Sequence, residues 1–275
     1  EEELKNNTAN AFYPGITEED VAAWTEQGLI GSFLHVLTIE EANYLQSLAM
    51  KSRLQIPIIF GIDAIHGNAN APDNTVYPTN INLACSFDTL MAYKIARQTA
   101  KEMRAMNMHW TFNPNVEVAR DARWGRVGET YGEDPYLVTL MGVQSVRGYQ
   151  GDLDSDEDVL ACIKHFVGGS EPINGTNGSP ADLSERTLRE VFFPPFEAGV
   201  KVGALSLMTA HNELNGVPCH SNEWLMTDVL RGEWKFPGFV VSDWMDIEHI
   251  HDLHATAENI KEAFYQSIMS GMDMH

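Results

Sequence analysis

The stretch FPGFVVSDWMD, residues 236–246, contains the pattern from which we predict the fold. A Pro-Gly turn precedes three apolar residues, and the run ends on Ser242, Asp243 and Trp244. A continuous apolar run is typical of a strand buried on both faces, as in a parallel sheet. Because aspartate is depleted in strands and costly to bury, Asp243 requires either compensating contacts or a functional role. The structural alternative is that Asp243 caps a following helix or pairs with a basic residue.

Five further apolar runs precede this one. They occupy residues 29–36, 56–63, 109–114, 159–166 and 204–211. Between the runs we predict helices, notably over 86–106 and 183–200, and another follows over 259–272; two prolines predict a break near Phe193 in the second. Strand and helix alternating in this way indicate an α/β fold with a parallel sheet.

The polar residues that end these runs favour a barrel over an open sheet. The runs end at Asp63, Asn113, Lys164-His165, His211 and Asp243. Barrel active sites collect side chains from the C-terminal ends of many strands, whereas an open sheet collects them near one switch point. We therefore predict one (β/α)8 TIM-type barrel domain over residues 1–275.

The strand count is below eight. The final residues MDMH, 272–275, resemble the start of another strand, and no convincing strand precedes residue 29. We expect a barrel that is incomplete at both ends, either a fragment or completed by another polypeptide.

The charge balance excludes two classes of partner. With 39 acidic and 18 basic residues, the formal charge is −21. Such a surface repels nucleic acids and anionic membranes. No apolar run reaches the roughly 18 residues of a membrane span, and the acidic start EEELKNNT is not a signal peptide. The three cysteines form no CxxC pair, which argues against a disulfide framework or a cysteine metal site, although one bridge is possible.

Two charged motifs and two loops belong to the same predicted mouth. The motif KHF, 164–166, places a cation beside an imidazole, and RDARWGRVGETYGEDP, 120–135, has three arginines within seven residues. The arginine-rich motif is either a salt-bridged loop or a sugar-binding one, since guanidinium groups also bind sugar hydroxyls. The Gly/Asn-rich loops 66–78 and 167–180 follow strands, so we expect both over the mouth.

Five motifs in register resemble glycoside hydrolase family 3. They are GIDAIHG (61–67), ARDARWGRVGETYGEDP (119–135), KHFVGG (164–169), NGVPCHSN (215–222) and GFVVSDW (238–244). The resemblance implies a retaining, exo-acting β-glycosidase, most often a β-glucosidase that removes terminal non-reducing β-D-glucosyl residues. It implies a β-glucoside or oligosaccharide substrate, no cofactor and no metal, and a periplasmic or secreted location.

The resemblance also assigns roles to residues. It makes Asp243 the nucleophile and Trp244 the aromatic that stacks on the neighbouring sugar. The other residues implied to bind the sugar are Asp63, Arg126, Lys164, His165, Met208 and His211. A retaining mechanism needs an ionised carboxylate and a second carboxylic acid about 5–5.5 Å away. Cations such as Lys164 and Arg126 would keep Asp243 ionised.

The chain departs from the family pattern at three points. His211 replaces the usual tyrosine, and Gly175 stands where many relatives have an arginine. The acid/base glutamate of the family belongs to a downstream α/β domain, so we expect a second domain or chain to supply it. Glu171 in a mouth loop is a weak substitute.

Two other functions are compatible with parts of the sequence. The segment HIHDLH, 249–254, has three histidines and suggests a metal-dependent barrel hydrolase, but residues i and i+2 of a helix do not face each other. The other possibility is a sugar-binding remnant that keeps the pocket and lacks the acid.

Overall fold

The computed structural model describes residues 15–275. The first half of the chain contains α1 (Glu18–Gln27), β1 (Ser32–Leu34), α2 (Ile39–Ala49), β2 (Ile59–Ile62), α3 (Asn80–Ala84), α4 (Thr89–Ala105), β3 (Trp110–Thr111), α5 (Pro135–Gln150) and β4 (Leu160–Phe166). The second half contains α6 (Glu185–Thr187), a π-helical turn (Leu188–Phe192), α7 (Phe193–Lys201), β5 (Ser206–Thr209), β6 (Glu213–Leu214), β7 (Val217–Pro218), a π-helix (Trp224–Glu233), β8 (Phe239–Val241), α8 (Asp246–Asp252) and α9 (Ile260–Ser270).

The six predicted strands form one parallel sheet in the order β1-β2-β3-β4-β5-β8. Neighbours in sequence are neighbours in space, apart from the small β6-β7 hairpin, so the sheet follows a barrel topology and not a switch-point topology. Val241 forms a single parallel bridge with Met274, where the sequence predicts the start of another strand. Residues 15–28 contain helix α1 and no strand, which agrees with the expectation that no strand precedes residue 29, and residues 1–14 lie outside the described part.

The predicted helices are confirmed with small changes of boundary. Helix α4 begins after Asp88, whose carboxylate accepts a hydrogen bond from the Met91 amide at 3.0 Å. The predicted break near Phe193 is a π-helical turn followed by α7, whose first turn contains the prolines. Helix α9 ends at Gly271, which has the left-handed φ of 113° that favours glycine.

A small cluster of side chains fills the inside of the curved sheet. Its buried members are Trp110, Phe112, Cys162, Met208 and Val241. The indole N–H of Trp110 donates to Ser206 Oγ at 2.7 Å, which joins β3 to β5. This packed floor supports the strand ends above it.

The structure also bears on membrane-spanning segments and on the cysteines. Across residues 15–275, no helix is both long and apolar enough to cross a bilayer. All three cysteines are unpaired, and Cys162 and Cys219 are buried.

Candidate active site

The charged side chains predicted for the mouth meet at one end of the sheet. Asp63 directly follows β2, His211 lies just after β5, and Asp243 follows β8. Lys164 and His165 lie at the C-terminal end of β4, and Arg126 lies in the loop between β3 and α5. The C-terminal ends of parallel strands therefore bring these residues together, as the barrel prediction requires.

Lys164 and His165 can both face the mouth because β4 is irregular where it ends. Its register against β5 shifts between Ile163 and Phe166. In a regular strand, adjacent side chains point to opposite faces, whereas a bulge re-aims them.

The first part of the site is an ion pair between a buried lysine and a partly exposed aspartate. Lys164 Nζ is 2.7 Å from Asp63 Oδ1, and the lysine side chain is only 3% exposed. The other oxygen of Asp63 lies 3.0 Å from His35 Nε2. Burial alone would raise the pKa of Asp63, but Lys164 and His35 lower it to about 2. Asp63 is therefore an ionised acceptor at neutral pH.

The second part is a hydrogen-bonded row centred on His165. Arg126 forms a two-pronged ion pair with Glu129 at 2.9 Å on each prong, and its Nη2 donates to His165 Nε2 at 2.9 Å. Since arginine only donates, His165 Nε2 accepts and Nδ1–H faces Glu117 Oε2 at 2.7 Å. Burial and Arg126 hold the pKa of His165 well below its usual range, so the imidazole is neutral.

The third part is Asp243, whose side chain is 15% exposed. Its Oδ1 accepts a hydrogen bond from the Trp244 amide at 2.7 Å, and its Oδ2 lies 3.0 Å from His211 Nε2 and 3.5 Å from His165 Nε2. Burial would raise the pKa of Asp243, but His211 and Lys164 hold it far below its ordinary value. Asp243 is therefore ionised, while still reaching the solvent-facing side of the site.

A small pocket lies against these groups. It is lined by Glu117, Trp124, Arg126, His165, Gly169, Asn177, Gly178, Ala210 and His211. The loop after β4 forms one wall, fixed by a 2.8 Å hydrogen bond from Trp124 Nε1 to Asn177 Oδ1. In the loop after β2, Asn70 donates to the backbone oxygen of Asp63, but Thr75 is tied to Glu102 on α4. Only part of that loop is therefore at the mouth.

Three residues considered in the sequence analysis lie outside the lining of this pocket. Met208 belongs to the packed floor inside the sheet and is 7% exposed. The indole of Trp244 is exposed beside Asp243, as a stacking platform has to be. Glu171 pairs with Arg120 at 3.3 Å and does not line the pocket.

Sequence reasoning missed four contributors to the site: His35, Glu117, Glu129 and Asp246. Glu117 was detectable, because it stands between Val116 and Val118 in the predicted barrel and is buried. Burial raises its pKa to about 8, against the opposing effect of Arg126. His35 and Asp246 meet Asp63 and His211 across long stretches of chain, where no spacing rule applies. Glu129 pairs with Arg126 three residues earlier, inside the arginine-rich motif.

The three histidines of HIHDLH do not converge on one point. His249 Nδ1 faces Asp246 at 2.9 Å, His251 Nδ1 faces the Ala257 carbonyl at 2.9 Å, and His254 Nδ1 faces Glu213 at 3.0 Å. In the described part of the chain, another set of possible metal ligands does converge: His211, Asp243 and Asp246 each bring one ligand atom within 4.8 Å of the others.

Taken together, the geometry suits recognition and attack on an uncharged polyhydroxylated molecule. Asp63, Lys164 and Arg126 offer fixed acceptors and donors, Trp244 offers an apolar face, and Asp243 offers an ionised carboxylate. Charged groups of this kind form strong hydrogen bonds to hydroxyls.

The chain is similar in sequence to known proteins. The model of the glycosyl hydrolase family 3 N-terminal domain matches residues 7–275. A β-xylosidase of Formosa agariphila is 43% identical over 256 residues, which are 89% of this chain and 35% of that protein. A periplasmic β-glucosidase of Salmonella typhimurium is 34% identical over 263 residues, 95% of this chain and 34% of that protein.

The fold is shared with solved enzymes as well. The crystal structure of a β-glucosidase from Listeria innocua in complex with glucose has a TM-score of 0.89 and 35% sequence identity; the match covers 100% of this chain and 37% of that one. The chain thus spans about a third of the length of the relatives it matches. The motifs, the parallel sheet and the family match together place this chain in glycoside hydrolase family 3, whose N-terminal domain it represents.

Proposed function

We propose that this chain provides the nucleophile and the sugar-binding pocket of a retaining, exo-acting β-glycosidase with a preference for terminal β-D-glucosyl residues. In the first step Asp243 attacks the anomeric carbon, and in the second water releases the sugar from the glycosyl-enzyme. Asp63, Arg126, Lys164 and His165 bind sugar hydroxyls in this proposal.

One observation supports the proposal most strongly. Asp243 is an ionised carboxylate at a rigid strand end, with Oδ2 directed at His211 and the exposed indole of Trp244 beside it. Surrounding donors keep the carboxylate ionised, so that it can attack the anomeric carbon and later act as the leaving group when the glycosyl-enzyme is hydrolysed. A structural carboxylate would need none of the sugar-binding groups around it.

The general acid is proposed to come from a second α/β domain or another chain. In the described part of the chain, the pocket-lining carboxylate is Glu117, which is 2% exposed and engaged with His165. A proton donor has to reach the leaving oxygen, and the Glu117 carboxyl is buried and held 2.7 Å from His165 Nδ1. A location outside the cytoplasm is proposed because one relative is named as periplasmic and another as lysosomal.

Xylosyl substrates are the second candidate, because the relative with 43% identity is named a β-xylosidase. A xyloside lacks the hydroxymethyl group of a glucoside. The two candidates therefore differ in whether contacts between the pocket and the hydroxymethyl group increase kcat/KM. Rates with 4-nitrophenyl glucoside and 4-nitrophenyl xyloside at equal concentration separate them, and we expect the larger kcat/KM with the glucoside.

The nucleophile is tested by replacing Asp243 with alanine in the full-length enzyme. With 2,4-dinitrophenyl β-glucoside, activity should fall by several orders of magnitude, and added azide should restore it. Azide would then displace the leaving group directly with inversion and give the α-glucosyl azide. Activity retained without azide, or a β-glucosyl azide product, would contradict the role of Asp243.

A further inference from the structure

A four-residue turn in the loop after β4 borders the pocket. The Ser179 amide donates to the Thr176 carbonyl at 3.0 Å, which closes the turn. Its two central residues, Asn177 and Gly178, both line the pocket. Gly178 has a φ of 81°, which favours glycine, and a Cβ there would lie 3.9 Å from His211 Cβ. The turn therefore forms the part of the pocket wall that lies next to His211.

The rest of this loop is fixed to its neighbours on both sides of the turn. After the turn, Ala181 is buried, and its amide donates to the Glu213 carbonyl of β6 at 2.8 Å. Before the turn, Gly175 packs on the arginine-rich loop so closely that a Cβ would lie 2.5 Å from Arg123 Cβ. These contacts hold the turn in a defined position beside the pocket.

A hydrogen bond from the arginine-rich loop fixes the orientation of the Asn177 carboxamide. Trp124 is 2% exposed, and its Nε1 donates to Asn177 Oδ1 at 2.8 Å. An indole N–H can only donate, so the carboxamide oxygen has to face Trp124. Within residues 15–275, the side-chain nitrogen of Asn177 forms no hydrogen bond, and the residue is exposed. Both of its N–H groups are therefore available to a molecule in the pocket.

Several other polar side chains of the pocket are already bonded to one another. Arg126 donates to Glu129 and to His165, and His165 is hydrogen-bonded to Glu117. Asn177 differs from them because it brings an uncharged donor with two unused N–H groups. A hydroxyl group can accept a hydrogen bond, so this donor suits the polyhydroxylated substrates of the proposed function.

We propose that Asn177 is a specificity-determining residue whose side-chain nitrogen donates to one hydroxyl of the sugar in the pocket. Trp124 is the positioning residue that holds the carboxamide in the orientation needed for this contact. This inference rests on the proposed function. A hydroxyl that enters the pocket gives up hydrogen bonds to water, and the Asn177 donor replaces one of them. The enzyme therefore favours glycosides that carry this hydroxyl over those that lack it.

The test pairs a change in the full-length enzyme with a change in its substrate. Native enzyme and Asn177→Ala are compared on 4-nitrophenyl β-glucoside or β-xyloside, whichever has the larger kcat/KM, and on its monodeoxy analogues. We expect Asn177→Ala to lower kcat/KM for the parent glycoside about 3–10-fold, as for a hydrogen bond between uncharged groups. With one analogue the two proteins should have equal kcat/KM, because the hydroxyl that Asn177 binds is missing. With the other analogues the loss should remain.

This pattern separates a contact with the sugar from a structural role of Asn177. A loosened loop would lower kcat/KM by the same factor for the parent glycoside and for every analogue. Equal losses across the series, or no loss with the parent, would overturn the proposal. Thr176→Ala is the matched control in the same turn, because Thr176 is exposed and its side chain forms no hydrogen bond within the described residues. It should leave kcat/KM within a factor of about two.

Trp124→Phe tests the positioning role. It keeps an aromatic ring at a buried position and removes the N–H that holds Asn177 Oδ1. The hydroxyl identified with Asn177→Ala should contribute less to kcat/KM in this variant than in the native enzyme. In the double variant it should contribute no less than in Asn177→Ala alone, because the effect of Trp124 on this hydroxyl passes through Asn177. Full dependence on that hydroxyl in Trp124→Phe would overturn the positioning role of Trp124.

The inference and the proposed function fail in different ways. If the native enzyme hydrolyses one of the two glycosides, but each hydroxyl contributes equally with and without the Asn177 side chain, only the inference is overturned. If the native enzyme hydrolyses neither the glucoside nor the xyloside, the proposed function is contradicted and the inference falls with it.

Discussion

At the residue scale, the site is built from charges that are balanced locally. Asp63 pairs with Lys164, Arg126 with Glu129, and His211 with both Asp243 and Asp246. Breaking one partner of a buried pair leaves the other uncompensated, which is much costlier than losing a surface ion pair. Each group thus helps to keep its partner charged.

The Asp63–Lys164 pair gives the first prediction. Asp63→Asn removes an ionised acceptor for sugar hydroxyls and leaves a lysine side chain that is 3% exposed without its anion. We expect kcat/KM for an aryl β-glucoside to fall by a factor equivalent to about 2–4 kcal/mol of transition-state binding. Steady-state kinetics of the full-length enzyme measure this.

Asp154→Asn is the control for that experiment, because Asp154 is exposed in the turn after α5. It should leave kcat/KM within a factor of about two, as for an ordinary surface substitution. An unchanged kcat/KM in Asp63→Asn would rule out the sugar-binding role of Asp63.

How much of the site could be predicted from the sequence depends on where each residue lies. Asp63, Lys164, His165 and Asp243 end apolar runs, so the parallel sheet alone brings them together. Asp246 reaches His211 across the gap between two strand ends, and this contact depends on how the chain turns into α8. No periodicity predicts such a turn.

At the element scale, the strands act as rigid supports whose spacing is set by the packed floor inside the sheet. Gly61 in β2 shows how tight this packing is, because a Cβ there would lie 2.7 Å from Phe112 Cζ. Glycine is needed at that position for space. The apolar pattern predicted strand β2, but only the structure shows that the Phe112 ring lies against Gly61.

Gly61→Ala should therefore destabilise the domain. We expect a loss of about 1–3 kcal/mol from overpacking, together with reduced activity, because Asp63 lies two residues further on. Gly31→Ala is the matched control at the start of β1, since nothing lies within 4 Å of its added Cβ. Thermal unfolding followed by circular dichroism compares the two. Equal melting temperatures for both variants would contradict the packing argument.

At the scale of the whole molecule, the chain is an α/β half-barrel that carries its chemistry on one edge. The six parallel strands and the pairing of Met274 with Val241 agree with the incomplete barrel expected from the sequence. The strand order was predictable because consecutive βα units pack side by side in a barrel. The strand order does not predict the source of the general acid, which we propose to be a second domain or chain. The net charge of −21 is consistent with an uncharged substrate.

The central claim is that Asp243 forms a covalent bond with the sugar, and one measurement tests it most directly. The full-length enzyme is inactivated with 2,4-dinitrophenyl 2-deoxy-2-fluoro-β-glucoside, digested, and mapped by tandem mass spectrometry. Because the fluorine slows both formation and hydrolysis of the glycosyl-enzyme, whereas the good leaving group speeds only its formation, the intermediate should accumulate. We predict a single added fluoroglucosyl group on the peptide containing Ser242-Asp243-Trp244, located on Asp243. A label on Asp63 or Asp246, or inactivation without a covalent label, would contradict the account.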